Sequence, residues 1–472
     1  MPPFLALFCW AVLLLVVLYF EPTLGARPSR ALWVPVVWLF LLGSRSPSQW
    51  FGEQMTGSAA AFEDGNPINR IVTLVLLLLA VGIVISRSFD WRKFFSLNLA
   101  LAAFLAFALI SFCWSDFPLV ALKRWVRDFG SYIAMLVILT DRRPTDAIRV
   151  VLRRVSYLLV PLSIVFDKYY PALSKQYDPY SGFGYYIGVA TSKNMLGLLC
   201  LISGLFFFWD TAIRWENRRQ RQTRKILLLN AAFFAMTVLL LYTAKSTTSS
   251  ICLILGCLVI TAAYTKTFRR RPGLLKWIIP AAFFAYLLLS LGLGMRGSFA
   301  EAVGKDPTLT DRTKIWGFLL DMHTNPILGV GYQSFWMGSR LQMFWQNAGL
   351  GHLNEAHNGY IEVYLQLGLT GMVLLAIFLI ASYRRVCRRL SSDFNFGVFG
   401  MALWMVVMFY NLSEAAFEAG LLYTILLLGV LAVPSRARAR VRVRRAASLD
   451  ETVTEEPISH LPLEPAALRD AR

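Results

Sequence analysis

The sequence predicts an all-α polytopic membrane protein with about 12 to 14 transmembrane helices and a large, partly helical outer loop. Two observations predict this class. Of the 472 residues, 57% are hydrophobic and only 16% are charged, with a mean hydropathy of +0.54, a composition far from that of soluble domains. Apolar runs such as 71–85, 97–112 and 226–242 approach or reach the roughly 20 residues that a helix needs to cross a bilayer.

The apolar segments follow one another along the chain and predict about 13 spans. The first segment, residues 1–20, has no Lys or Arg before its apolar part, so we interpret it as a retained helix rather than a secretory signal peptide. The predicted spans begin near residues 4, 31, 71, 94, 121, 150, 194, 226, 249, 275, 360, 395 and 419.

Basic residues concentrate in alternate loops, and this pattern predicts the orientation of the chain. Lys and Arg favour cytoplasmic loops, which accounts for most of the net charge of +19 and leaves no reason to expect nucleic acid as a partner. The segments assigned to the cytoplasm are Arg142–Arg154, Arg214–Lys225, Lys266–Arg271, Arg384–Arg389 and the Arg-rich tail.

Four regions follow from the spans and this orientation. Residues 1–293 are expected to carry about ten membrane helices, 294–358 a large periplasmic or extracellular loop, and 359–433 about three further helices. Residues 434–472 are expected to be a disordered cytoplasmic tail, because they lack an apolar period. The long loop is expected to be ordered because it is rich in aromatic residues, namely Trp316, Phe335, Trp336, Phe344 and Trp345.

Three motifs follow one another through this loop. D-R-T-K-I-W contains Arg312 in a predicted short amphipathic helix, N-P-I-L-G-V-G-Y-Q-S-F is a glycine-punctuated turn, and A-H-N-G-Y-I-E-V-Y-L-Q-L-G-L-T-G, which contains His357, enters the next span. In order, spacing and membrane context they resemble the signature region of the O-antigen ligase/polymerase family, over about residues 308–371. Two looser likenesses, W-S-D-F-P-L-V-A-L-K-R at 114–124 and T-S-K-N-M-L-G at 191–197, resemble the exopolysaccharide-polymerase branch.

The resemblance implies a GT-C-like glycosyltransferase of the cell envelope, in the bacterial inner membrane with its site on the outer face. It implies an undecaprenyl-diphosphate-linked glycan as donor, inversion at the anomeric carbon, and no metal or other cofactor. His357 would correspond to the important histidine and Arg312 to an important arginine of the outer loop. The two looser likenesses favour a polymerase over a ligase.

The chemistry of the two residues agrees with this implication. A neutral imidazole with a pKa near 6.5 takes the proton of an attacking sugar hydroxyl at neutral pH, and a guanidinium fork matches phosphate oxygens. The alternatives are a structural histidine beside a helix N-terminus and an arginine on a solvated helix face.

Basic residues predicted to face outward, against the charge rule, are candidates for binding the donor diphosphate. Lys123, Arg124 and Arg127 form one such group, and Lys193 and Lys245 lie in two further outward turns. Anchoring of phospholipid headgroups is the alternative for the first group.

The acceptor glycan has three candidate contacts, Tyr360, Trp316 and Glu414. Glu414, at the outer end of a span, is expected either to steer the acceptor hydroxyl or His357, or to cap a helix. The first outer loops contain no D-x-D pair, so no metal site is predicted.

Two other classes of function are weighed. A transporter or flippase of lipid-linked glycans would also have a dozen or more spans, but transporters usually show repeats and buried ionisable groups at the midplane. A non-catalytic assembly scaffold would leave His357 and Arg312 without a purpose. The expected partners are the lipid-linked glycan, the bilayer, and proteins that control polysaccharide chain length or export.

Overall fold

The computed structural model describes residues 2–21, 29–53, 65–87, 89–177, 182–288, 312–347, 353–418 and 420–433. Contacts divide the chain into a unit Met1–Ala432 and a unit Val433–Arg472. The architecture below is that of the first unit. The predicted tail lies outside the described residues.

Helices make up most of the described chain, and the rest includes one short antiparallel hairpin. In the hairpin, β1 (Lys175–Tyr177) pairs with β2 (Gly184–Tyr186). The helices, including three of only four or five residues, are α1 (Pro3–Phe20), α2 (Trp33–Leu42), α3 (Pro47–Trp50), α4 (Pro67–Ser86), α5 (Trp91–Leu97), α6 (Leu99–Ile110), α7 (Pro118–Leu139), α8 (Pro144–Tyr169), α9 (Pro171–Ser174), α10 (Lys193–Arg214), α11 (Arg221–Ala244), α12 (Thr247–Ala263), α13 (Lys266–Arg270), α14 (Ile278–Leu287), α15 (Arg312–Leu320), α16 (Gly338–Asn347), α17 (Gly359–Ser392), α18 (Phe394–Tyr410) and α19 (Leu421–Val430).

The predicted all-α polytopic membrane class is confirmed. Among the described residues, five helices are long and apolar enough to cross a membrane, and the pair α5 and α6, bent by 97°, makes a sixth if it is one span. Four shorter helices are also apolar. A helix lies at or next to each of the thirteen predicted positions, and the number of spans stays a prediction. The five long apolar helices are α1, α4, α10, α11 and α17.

Burial separates the inner helices from those at the periphery. Every residue of α19 is buried, and so is most of α18. In contrast, only 11% of the apolar window of α1 and 17% of that of α4 are buried. Helices that remain apolar on their exposed side are typical of contact with lipid, so α1 and α4 belong to the rim of the bundle.

Basic residues assigned to a cytoplasmic loop lie instead inside α8. Arg153 and Arg154 are buried, which costs free energy unless the guanidinium groups are paired. Arg153 Nη2 lies 3.1 Å from Asp210 Oδ2, and Arg154 Nε lies 2.8 Å from Glu21 Oε2. The predicted loop from Arg142 was therefore too long, because ion pairs allow the helix to begin at Pro144.

The described part of the long loop folds around a small apolar core. Ile315 and Leu319 of α15 pack with the turn that follows and with Leu341 and Phe344 of α16. Phe335 and Trp336 are core members, and Trp316 and Trp345 pack against them. The aromatic residues therefore pack together in the described part of this loop, and order over the whole of 294–358 stays a prediction.

This loop is joined to α17 at a break in that helix. Gly368 has φ +62 and ψ −164, so the helix is interrupted there. The carbonyls of Leu365 and Gln366 accept the N–H groups of Val330 and Gly331 at 3.2 and 2.9 Å. The N–H groups of Leu369 and Thr370 in turn bond to the carbonyls of 326 and 327 at 2.9 and 3.1 Å. The glycine-rich turn therefore satisfies the backbone groups that the break exposes.

Candidate active site

A buried carboxylate, Glu414, lies at the centre of the candidate site. Its Oε1 lies 2.8 Å from Arg312 Nη2, and its Oε2 lies 3.2 Å from His357 Nδ1. Asn194 Nδ2 donates to the same Oε2 at 2.8 Å. The structure thus brings together Arg312, His357 and Glu414, all three of which were predicted, and adds Asn194 from the T-S-K-N-M-L-G segment.

His357 is held in a backbone conformation that residues other than glycine rarely adopt, with φ +48. The chain on its C-terminal side is fixed, because Gly359 N donates to the carbonyls of Asn411 and Glu414, both at 3.0 Å. Asn358 caps α17 by accepting the N–H groups of Tyr360 and Ile361. A non-glycine residue in the left-handed region persists only when its surroundings hold it there, and such residues cluster at functional sites.

Two carboxylates determine the protonation of His357. Nδ1 lies 2.9 Å from Glu355 Oε1, in addition to its contact with Glu414. Burial alone would lower the pKa of His357, but hydrogen bonds to Glu355 and Glu414 outweigh it and raise the pKa from 6.5 to about 10. The neutral imidazole of ordinary pKa expected from the sequence is therefore wrong for the free site, because neighbouring anions stabilise the protonated ring.

The same three side chains have the composition of a cation site. The ligand atoms of Glu355, His357 and Glu414 lie within 4.8 Å of one another. Arg312 already supplies one positive charge to Glu414, and the protonated ring supplies a second. Metal independence stays a prediction.

The predicted diphosphate-binding residues of α7 contact the glycine-rich turn. Arg124 Nη1 donates to the Gln333 carbonyl at 2.6 Å, and Arg127 Nη2 donates to Gln333 Oε1 at 3.0 Å. Arg127 also pairs with Asp128 through Nε at 2.9 Å, while half of its side chain stays exposed. Lys123 is exposed. This group therefore has surface that an anion can reach, beside the turn that docks on α17.

Lys193 and Lys245 lie over two aromatic rings of the hairpin region. Lys193 Nζ is 4.8 Å from the centroid of the Tyr185 ring, and Lys245 Nζ is 5.3 Å from that of Phe183. Lys193 directly precedes Asn194, which binds Glu414. The two lysines therefore lie where α10 and α11 meet the candidate site around Glu414.

Trp316 and Tyr360 use their polar atoms inside the protein. Trp316 Nε1 donates to the Ala356 carbonyl at 2.9 Å, and the Tyr360 hydroxyl donates to the Met408 carbonyl at 3.2 Å. The Tyr360 ring also packs edge-on against Phe417. Both side chains hold the segment around His357 in place through these bonds within the protein. Contact of either residue with the acceptor glycan stays a prediction.

Several polar residues of this region were missed in the sequence. Glu362 and Gln366 are buried and lie one turn apart in α17, and Gln333 and Asp128 are buried beside them. Their signal was a polar pair, E-x-x-x-Q, at the start of an apolar span, where uncharged side chains are the rule. Glu355 was missed because it precedes the motif that draws attention to His357.

The sequence model of the O-antigen ligase family matches residues 231–376. The exopolysaccharide production protein ExoQ of Rhizobium meliloti is 26% identical to this chain over 367 residues, which cover 74% of this chain and 81% of that protein. The family match contains both Arg312 and His357. Together the two matches support a function of the O-antigen ligase or exopolysaccharide polymerase type in a multi-pass membrane protein. Both matches support the predicted resemblance to the O-antigen ligase/polymerase family and to an ExoQ-like member of it.

Proposed function

We propose that this chain is an inverting glycosyltransferase that transfers or polymerises undecaprenyl-diphosphate-linked oligosaccharide repeats on the outer face of the bacterial inner membrane, with polymerisation favoured. The relative ExoQ is an exopolysaccharide production protein, which supports the polymerase. The observation that carries the proposal is the contact of Arg312 and His357 with the two oxygens of one buried carboxylate, Glu414. A flippase of lipid-linked glycans would not need such a centre.

In the proposed step, an acceptor hydroxyl attacks the anomeric carbon of the donor. A new C–O bond forms as the bond to the diphosphate breaks, and the lipid diphosphate leaves with the electron pair. The hydroxyl proton passes to His357 Nε2, because Nδ1 is occupied by the carboxylates of Glu355 and Glu414. The basic residues stabilise the charge that grows on the leaving group.

Arg312 has two tasks in this proposal. One Nη atom holds Glu414 at 2.8 Å, and the rest of the planar fork offers donors to a phosphate oxygen. Lys123, Arg124 and Arg127 on one side, and Lys193 and Lys245 on the other, are proposed to bind the donor diphosphate. Attraction between these cations and a diphosphate does not require a metal ion.

The raised pKa of His357 supports a second role in the same reaction. A protonated ring donates a hydrogen bond to the leaving diphosphate, while a carboxylate such as Glu355 takes the hydroxyl proton. The two roles predict opposite pH dependences: a base gains activity as pH rises toward its pKa, and a cation loses activity above it. The pH profile described in the Discussion distinguishes them.

Replacement of His357 by Ala tests the proposal in purified enzyme with labelled lipid-linked repeats. We expect the rate to fall by about 10² to 10⁴, as is typical for loss of a general base, while the protein still inserts. Arg312→Lys should retain part of the activity that Arg312→Ala loses, because a point charge does not reproduce the fork. A chelator should leave the rate unchanged. A normal rate for His357→Ala would contradict the proposal.

His323→Ala is the matched control, because His323 is exposed and also has a positive φ, +44. It should retain the wild-type rate. Loss of activity in both histidine variants would point to a general effect on the loop.

A further inference from the structure

Glu362, in the first turn of α17, is a buried carboxylate that the proposed reaction does not use. Its side chain accepts three hydrogen bonds. Oε1 accepts from Trp336 Nε1 at 2.7 Å and from Gln366 Nε2 at 2.8 Å, and Oε2 accepts from Ala356 N at 2.9 Å. Because all three partners are donors, both oxygens of the side chain act as acceptors.

One of these contacts reaches the segment that carries His357, and a bond from Trp316 reaches the same segment. Glu362 holds the N–H of Ala356, the residue before His357, and Trp316 holds the carbonyl of Ala356 at 2.9 Å. The peptide group on the N-terminal side of His357 is thereby fixed. The left-handed φ of His357 is unfavourable for a residue other than glycine, so the chain would leave this conformation if the surrounding bonds were lost.

The direction of each bond in the network is determined. Gln366 Oε1 accepts the N–H of Gln333 at 2.8 Å, so Gln366 Nε2 must be the atom that faces Glu362. The same Nε2 donates to Glu418 Oε1 at 2.6 Å. Turning the amide of Gln366 would therefore lose three bonds at once. A glutamine at position 362 has only one acceptor oxygen. Its NH₂ group would therefore face another donor, either the N–H of Ala356 or the donors of Trp336 and Gln366.

We propose that Glu362 is a positioning residue for His357: its carboxylate holds the Ala356–His357 segment in the conformation that places the imidazole on Glu414. This inference rests on the proposed function of His357. It predicts that Glu362 acts mainly on the rate of transfer, because its hydrogen-bond partners Trp336, Gln366 and Ala356 are not among the proposed donor-binding residues.

The first test is the kinetics of Glu362→Gln in purified enzyme. We expect kcat to fall tenfold or more with an unchanged KM for the lipid-linked donor. Asp116→Asn is the matched control, because it also converts a carboxylate to an amide, and Asp116 pairs with Arg340 rather than with the His357 segment. It should keep the wild-type kcat. If Glu362→Gln does not fold, Glu362→Asp retains the charge but withdraws it by one methylene, and should also lower kcat.

The second test measures the position of His357 without any assay of transfer. Diethyl pyrocarbonate acylates unprotonated imidazole, and peptide mapping by mass spectrometry reports the rate for each histidine, with exposed His323 as the internal reference. A ring held between two carboxylates should react slowly in the wild type and several-fold faster in the Glu362 variant. A folded variant with wild-type kcat and a wild-type acylation rate would overturn the inference. Activity of His357→Ala would instead overturn the proposed function, and the acylation rates would still decide whether Glu362 positions the ring.

Discussion

At the scale of single residues, Glu414 determines the character of the site because its two oxygens serve three different partners. They bind Arg312, Asn194 and His357, which are 102, 220 and 57 residues away in sequence. Two positive groups and a neutral amide therefore compensate one buried charge. These contacts offset the cost of burying a carboxylate whose side chain is only 6% exposed. The same contacts point the ring so that Nε2 remains for a substrate.

The pH dependence of transfer tests the base role of His357. Because the carboxylates raise the pKa of His357 to about 10, the neutral ring is the minor form at pH 7. We therefore expect kcat/KM to rise about tenfold per pH unit between pH 6 and 9. Glu355→Gln removes one of the anions that raise the pKa, so it should move the profile to lower pH. A profile that is flat or falls over this range would assign His357 the cationic role.

Neutral substitution of Lys123, Arg124 and Arg127 together tests their binding of the donor. A hydrogen bond to a charged group contributes about 1.5 to 3 kcal/mol, so the KM for the lipid-linked donor should rise tenfold or more. Lys266→Gln with Arg270→Gln on α13 is the matched control and should leave KM unchanged. If the triple variant binds the donor normally, the group only anchors phospholipid headgroups.

At the scale of elements, the break in α17 explains two sequence motifs at once. The L-G-L-T-G segment places Gly368 where the helix is interrupted, and the N-P-I-L-G-V-G turn supplies bonding partners for the exposed backbone. A Cβ on Gly329 would lie 2.4 Å from the Gln366 carbonyl, so this close approach requires glycine. The turn also presents Gln333 to Arg124 and Arg127. The basic group and the His357 segment therefore both depend on this contact between the glycine-rich turn and the break in α17.

Gly368→Ala should strongly destabilise the contact between the glycine-rich turn and the break in α17. With φ +62 and ψ −164, the position lies in a region that is essentially restricted to glycine and costs other residues on the order of 1 to 3 kcal/mol. A Cβ there would also lie 2.3 Å from the carbonyl of Ile327. We expect a lower unfolding temperature in detergent and loss of transfer. Gly82→Ala on α4 is the control, because no atom lies within 4 Å of its added Cβ and alanine is favoured in helices. Equal stability of the two variants would contradict the role of the break.

At the scale of the whole molecule, α10 connects the candidate active site with a group of buried ion pairs. Asn194 in its first turn binds Glu414, and Asp210 near its other end pairs with Arg153 and Arg214. The 16 residues between them correspond to about 24 Å of helix, close to the thickness of the hydrocarbon layer. The candidate active site and the buried ion pairs are therefore expected near opposite faces of the membrane, and their sidedness stays a prediction.

Reporter fusions test this orientation. Fusions after residues 345 and 450 should lie on opposite sides of the membrane, with residue 345 outside, because the basic loops belong in the cytoplasm. A fusion after residue 267, in the Lys266–Arg270 segment, should give the same sidedness as residue 450. The same sidedness for residues 345 and 450 would contradict the topology.

The sequence by itself determined the membrane class, the position of nearly every helix, and three of the residues that meet at the centre. An apolar run of sufficient length is favoured in lipid whatever its neighbours are, and the residues of a short motif such as A-H-N-G-Y are close together in any fold. Both can therefore be identified from the sequence. Only the tertiary structure decided that Glu414 is the common partner of Arg312 and His357, that Trp316 and Tyr360 support the His357 segment, and that the pKa of His357 is high. Each of these depends on contacts between residues far apart in sequence, such as Asn194 with Glu414. Hydrogen bonds and charge–charge interactions act over a few ångströms in space, and a pattern along one chain does not record that distance.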